Sequence, residues 1–261
     1  MDIDLSGKGA LVTGGSLGIG RATADALARH GAGVAIVARD AGRLEEAARE
    51  LRRNAGGKVV AIPGDTSKPE DIARAVERAN KELGSIDILI NNAGSSPAGR
   101  IQDISDETWA ASFNLKFMGY VRCARAVLPA MRQRKWGRIV NIIGRGGHYP
   151  TAGYMTGAFN AALRHFTQAL AEEGAPDNVL VNGINPGATD TPRLQTLQKQ
   201  QAAFRNMTVA QVAAEELKRI PLGRASTAEE IAALALFLTS AHAGSISGAL
   251  LNVDGASSKM P

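Results

Sequence analysis

"ALVTGGSLGIG", residues 10–20, sets a short apolar run directly before a glycine-rich turn, and a helical pattern opens at once behind it. The glycines have separate jobs. Gly14 permits a tight turn, Gly18 lets the backbone approach a pyrophosphate, and Gly20 lets the following helix pack closely on the strand. With Ser16, Leu17 and Ile19 they make a loop at the positive end of a helix dipole, where free amide N–H groups suit a phosphate. A glycine triplet alone is a weak sign. Strand, turn and helix in this order are the context its mechanism requires.

Outward from this loop, short β-branched runs alternate with longer helical patterns along the chain. Strands are expected at 10–13, 33–38, 58–63, 86–91, 137–143, 178–184 and 249–253, with helices at 18–30, 41–54, 69–83, 106–134, 153–173 and 228–240. Nearly all-apolar strands imply burial on both faces, so the expected fold is α/β: one doubly wound domain over 1–261, a mainly seven-stranded parallel sheet with helices on both sides. Residues 192–220 interrupt the alternation and are expected to form a flap over a binding cleft.

Composition narrows the function classes. The 261 residues are 44% hydrophobic and 21% charged, which excludes a disordered or fibrous chain. The net charge of +5 is spread among acids, as in "RLEEAARELRR" (43–53), and no basic patch interleaved with aromatics points to nucleic acid. A lone cysteine, Cys123, fits a reducing, cytoplasmic setting and a small core residue. Residues 231–253 lack formal charge, but their polar, glycine-rich middle predicts a buried helix and then a buried strand instead of a membrane span. No metal site is expected.

Further motifs accompany the glycine turn. "GDTS" (64–67) follows the third strand, "NNAG" (91–94) the fourth and "NPGATDT" (185–191) the sixth, and "PLGR" (221–224) and "GALLNVDGA" (248–256) close the chain. Together with the Thr13-Gly14, Gly18-Ile19-Gly20 spacing, this set resembles the short-chain dehydrogenase/reductase superfamily, a Rossmann-fold family, over essentially the whole length. The resemblance implies an NAD(P) cofactor. Asp65 and Thr66 would lie beside its adenine, Asn92, Ala93 and Gly94 beside its adenosine ribose, and Pro186, Gly187 and Thr191 at its nicotinamide.

The end of the second strand bears on which cofactor. An acid there selects NAD by binding the ribose hydroxyls. Here Ala38 takes the acid's place and Arg39 follows, a guanidinium suited to a 2′-phosphate, so NADP is expected. Asp40, one residue on, and Leu17, where many NADP-users carry a basic residue, leave NAD as the second choice.

At the chemical end the resemblance implies an Asn, a Ser, and a Tyr and Lys four apart on one helix. An unassisted phenol, with a pKa of about 10, needs such help at neutral pH. Asn114 in "SFNLKFMG" matches the asparagine. The serines fall on Ile143 and Gly144, neither with a hydroxyl, leaving Arg145 and His148 as nearby donors. The lysine falls on Asn160 and the tyrosine on Thr156, while the actual tyrosine, Tyr154, stands six before Asn160. In "YMTGAFN" the spacing is one short of that in the enoyl-acyl carrier protein reductases, a divergent branch. Tyr154 is the expected proton donor, with Asn114 an accessory group and Asn160 a ribose contact.

These features predict an NADP(H)-dependent oxidoreductase moving a hydride to or from a carbonyl or activated double bond of a small molecule. The alternatives are a dinucleotide-binding protein that has lost the chemistry, as a sensor or structural partner, and non-redox chemistry such as hydration. The family implies a tetramer or dimer formed through the helices at 106–134 and 153–173.

Overall fold

Alternate residues of the second strand, "GVAIVA", enter opposite cores. Val34 and Ile36 join one cluster and Ala35 and Val37 the other, which is why the strand reads as apolar throughout. The computed structural model describes residues 2–94, 99–150 and 157–258. Its strands are β1 (Gly9–Thr13), β2 (Gly33–Ala38), β3 (Val59–Pro63), β4 (Ile88–Asn91), β5 (Gly137–Ile142), β6 (Val179–Pro186) and β7 (Leu250–Val253). They form one seven-stranded sheet in the order β3-β2-β1-β4-β5-β6-β7, and every pairing is parallel.

Helices cover both faces. On one side, α1 (Gly18–Arg29), α2 (Ala41–Leu51) and α9 (Ala228–Thr239) bury Leu27, Leu44, Ile231 and Ala235. On the other, α3 (Pro69–Leu83), α5 (Gly119–Gln133) and α6 (Gly157–Gly174) bury Ile72, Val127, Met131 and Leu170. Cys123 belongs to this second core, free and buried, where burial pushes its thiol up to about 12. The sheet order reverses between β1 and β4, and the crevice beyond the strands' carboxyl ends at that point is where such folds bind ligands.

The single helix expected at 106–134 and the buried strand expected at 249–253 need correction. The helix expected at 106–134 is α4 (Asp106–Phe113) and α5, joined by a π-turn at Asn114–Met118 whose extra residue rotates the side chains there relative to a regular helix. The segment at 192–220 is a pair of helices, α7 (Pro192–Arg205) and α8 (Val209–Lys218), tied by Gln198 to Glu216 and Arg205 to Glu215. β7 is half-buried because it is the sheet's edge, paired with β6 alone. Helix α6 is described from Gly157, so the first residues of the predicted helix, Tyr154 among them, lie outside the described residues. Among the described residues no helix is long and apolar enough to cross a membrane.

Candidate active site

The glycine turn is held from β4. The Thr13 hydroxyl accepts the backbone N–H groups of Asn92 and Ala93 at 2.9 and 3.1 Å, while the Asn92 amide donates to the Thr13 and Gly14 carbonyls at 3.0 and 3.3 Å. Asn92 and Ala93 thus lock the loop by these contacts. Gly14 has φ +67° and Gly18 φ +54°, the left-handed region that glycine enters without strain. A Cβ on Gly20 would stand 2.3 Å from the Gly14 carbonyl, so the close approach read from the sequence is present.

Helix α1 then starts without a cap. Leu17 holds the N-cap position in extended backbone and gives no side-chain hydrogen bond, and the first turn carries no acid. The opening amides from Gly18 and Ile19 onward are left for another acceptor, beside the partly exposed Ser16 and Leu17. Thr191 closes this cradle from the far side. Its Cγ2 lies 3.2 Å from where a Gly18 Cβ would be, and its hydroxyl donates to Thr189 O. Behind it, Gly187 packs on Asp254 so tightly that a Cβ would meet the Asp254 Cβ at 2.7 Å, fixing the turn after Pro186.

The end of β2 separates its two charged residues. Asp40 caps α2, accepting from the Arg43 N–H at 3.0 Å. Arg39 is exposed and, among the described residues, makes no ion pair. After β3, Asp65 accepts from Ser67 N–H, and the Thr66 hydroxyl is buried with no partner among the described residues.

At the other half of the crevice the arrangement departs from the expected one. Asn114, expected as an accessory group, has its side chain held in place: its amide donates to Ser67 O at 3.2 Å and its oxygen accepts from Arg122 at 2.7 Å, which clamps the π-turn to the loop after β3. The side chain that reaches the end of β5 is Lys116, two residues on. It runs beside Gly94, where a Cβ would touch its Cδ at 3.0 Å, and its Nζ donates to Ile143 O at 2.6 Å. Burial, with a smaller push from the Arg193 guanidinium on α7, lowers this ammonium from 10.5 to about 7.

Most other polar groups at this end of the sheet are engaged. The Tyr120 hydroxyl donates to Ile142 O at 2.7 Å, and burial raises that phenol far above its ordinary value. Arg145, expected as a spare donor, reaches Ser257 at 3.0 Å instead. His148 packs edge-on against Tyr149. Ile143 is buried with Tyr120 and Leu163, and Gly144 sits at φ +110° with the Asn160 amide crowding its face, so a side chain there would be strained. Asn160 is 1% exposed, and among the described residues its oxygen has no hydrogen-bond partner. Sequence reasoning missed Lys116. Its signal was a single lysine inside the aromatic and aliphatic run "FNLKFMGY".

Comparisons agree with this architecture. The sequence pattern of the short chain dehydrogenase family matches residues 8–202. The D-beta-hydroxybutyrate dehydrogenase of Cupriavidus necator is 36% identical over 256 residues, covering 96% of this chain and 98% of its own. A 3-oxoacyl-[acyl-carrier-protein] reductase of Pseudomonas aeruginosa is also 36% identical, covering 97% and 98%. The structure of L-sorbose reductase from Gluconobacter frateurii, complexed with NADPH and L-sorbose, superposes with a TM-score of 0.93 at 35% identity, covering 100% of both chains. The chain belongs to the short-chain dehydrogenase/reductase family of oxidoreductases.

Proposed function

We propose that this protein is an NADPH-dependent reductase that interconverts a ketone and a secondary alcohol on a small organic substrate. The observation that carries the cofactor choice is the end of β2, where the one acid, Asp40, is taken up as a helix cap and Arg39 stands exposed two residues after Val37, whose carbonyl meets the glycine turn that leads into the uncapped start of α1. A ribose bearing a 2′-phosphate fits such a pair of cationic and amide donors. The known relatives reduce or oxidise oxo and hydroxy groups, and the sorbose reductase complex contains NADPH.

In this reading Gly14, Ser16, Leu17, Gly18, Ile19 and Gly20 hold the pyrophosphate and Arg39 the 2′-phosphate. Asp65 and Thr66 flank the adenine, Asn92, Ala93 and Gly94 floor the ribose, and Pro186, Gly187 and Thr191 face the nicotinamide. When bound, the reduced nicotinamide supplies a hydride to the substrate carbonyl carbon. Tyr154 donates a hydrogen bond to the carbonyl oxygen and Asn160 lines the ribose, while α7 and α8 cover the substrate. The protein works in the cytoplasm as a dimer or tetramer through α4, α5 and α6.

Titration with NADPH and NADH, followed by cofactor fluorescence, tests the assignment. NADPH binds more tightly, and Arg39→Ala weakens NADPH by about 10- to 100-fold, the worth of a charged hydrogen bond, while sparing NADH. An NADH preference indifferent to Arg39→Ala would contradict it. Tight NADPH binding with no ketone turned over would favour a dinucleotide-binding protein instead.

A further inference from the structure

A buried ammonium is expensive, and structures keep one where a partner or a task holds it. Lys116 is 9% exposed, and among the described residues its three N–H donors find one acceptor, Ile143 O. No carboxylate among the described residues acts on it. The loop after β4 offers it Gly94, the end of β5 the Ile143 carbonyl, and α7 the like charge of Arg193, while the neutral Asn160 amide of α6 packs on the neighbouring Gly144. So Lys116 is not half of a structural ion pair.

Its place is equally specific. The Nζ lies beyond the carboxyl ends of β4 and β5, on the other side of β1 in the sheet order from Arg39, which follows β2. With the 2′-phosphate end of a dinucleotide at Arg39, the cradle carries the other end toward Lys116. Family resemblance puts the fold's lysine at position 160, where this chain has an asparagine. The π-turn brings a lysine to the same loop from a different helix.

We propose that Lys116 is the proton donor of the reaction, delivering a proton from its ammonium to the oxygen of the carbonyl being reduced. The assignment rests on the reductase reading above. As the carbonyl carbon receives the hydride with its electron pair, the C=O π pair becomes a lone pair on oxygen. That lone pair takes a proton from Lys116, the N–H electrons stay on nitrogen, and a neutral amine remains to be reprotonated from water. A donor near pKa 7 is well matched to this role at neutral pH. Reduction then slows as pH rises through about 7, because the ammonium is lost.

The test uses NADPH and the ketone probe S-acetoacetyl-N-acetylcysteamine with Lys116→Met and Lys116→Arg, the latter fixed in its charged form. Both variants lose about 10²- to 10⁴-fold in kcat, keep their NADPH affinity by fluorescence, and lose the fall in rate near neutral pH. In protein labelled with ¹⁵N-lysine, the Nζ resonance missing from Lys116→Arg titrates near pH 7, a readout independent of turnover. Lysine resonances that all titrate above about 10 would overturn the proposal. So would a Lys116→Met enzyme with the wild-type rate and pH profile, or a profile abolished by Tyr154→Phe and kept by Lys116→Arg. Failure to bind NADPH would overturn the reductase reading itself, whatever the midpoint of that resonance.

Discussion

Arg39 and Asp40 are neighbours with opposite charges, and the local helix start decides which of them meets a ligand. Asp40 is consumed as the cap of α2, so the proposed preference for NADP could be expected from "ARD" once a helix was predicted to begin at 41. Lys116 shows the other extreme. Its folded-state proton affinity is lowered, so between pH about 7 and 10.5 the unfolded chain holds more protons and stability rises with pH. The shift corresponds to a penalty on the order of 5 kcal/mol at neutral pH. Replacing Lys116 by Met therefore stabilises the protein at pH 7, and the advantage shrinks by pH 10. Urea unfolding of both proteins across that range checks this, and an unchanged gap would argue against the shift. Lys116 was not legible as a site residue, because a periodic reading assigns residues 106–134 one continuous helix, and only the π-turn turns it inward.

At the scale of elements, the steric demands at Gly14 and Gly20 were readable, a tight turn and a close approach of helix to strand, whereas the packing of Gly15 on Ile36 was not. Gly18→Ala meets both a positive φ and the Thr191 methyl, so it costs about 1–3 kcal/mol and weakens NADPH binding. Thermal melts with and without NADPH would register both effects, and a variant that melts and binds as wild type would show the turn to be tolerant. The Thr13 hydroxyl, which ties β1 to Asn92 and Ala93, was not foreseen because its partners are 79 and 80 residues away. Asn114 has the same lesson in reverse. The motif drew attention to it, yet its partners Ser67 and Arg122 make it a clamp for the π-turn, which lies beside Lys116. Asn114→Ala should thus lower the melting temperature and displace Lys116, and a variant with unaltered stability would refute the clamp.

For the whole molecule, alternation of apolar runs and helical patterns gave the parallel order of strands, because burial on both faces leaves its mark on every strand. The edge position of β7 was less visible, since an edge strand and a central one can both be apolar. The helix surface around Phe113 bears on assembly. Phe113 stacks on Phe117 at 5.0 Å and meets Phe159 at 5.5 Å, yet is 38% exposed. An aromatic cluster spanning α4 and α6 and open to solvent fits a subunit contact. Sedimentation should find a dimer or tetramer that Phe113→Glu dissociates; a wild-type monomer would contradict it. The proposed reduction of a carbonyl with NADPH is tested most directly by mixing enzyme, NADPH and S-acetoacetyl-N-acetylcysteamine and following the nicotinamide absorbance together with the thioester product. NADPH is expected to be consumed one for one with 3-hydroxybutyryl thioester formed, with little reaction with NADH. NADPH bound tightly but never consumed, with this ketone or with sorbose, would contradict it.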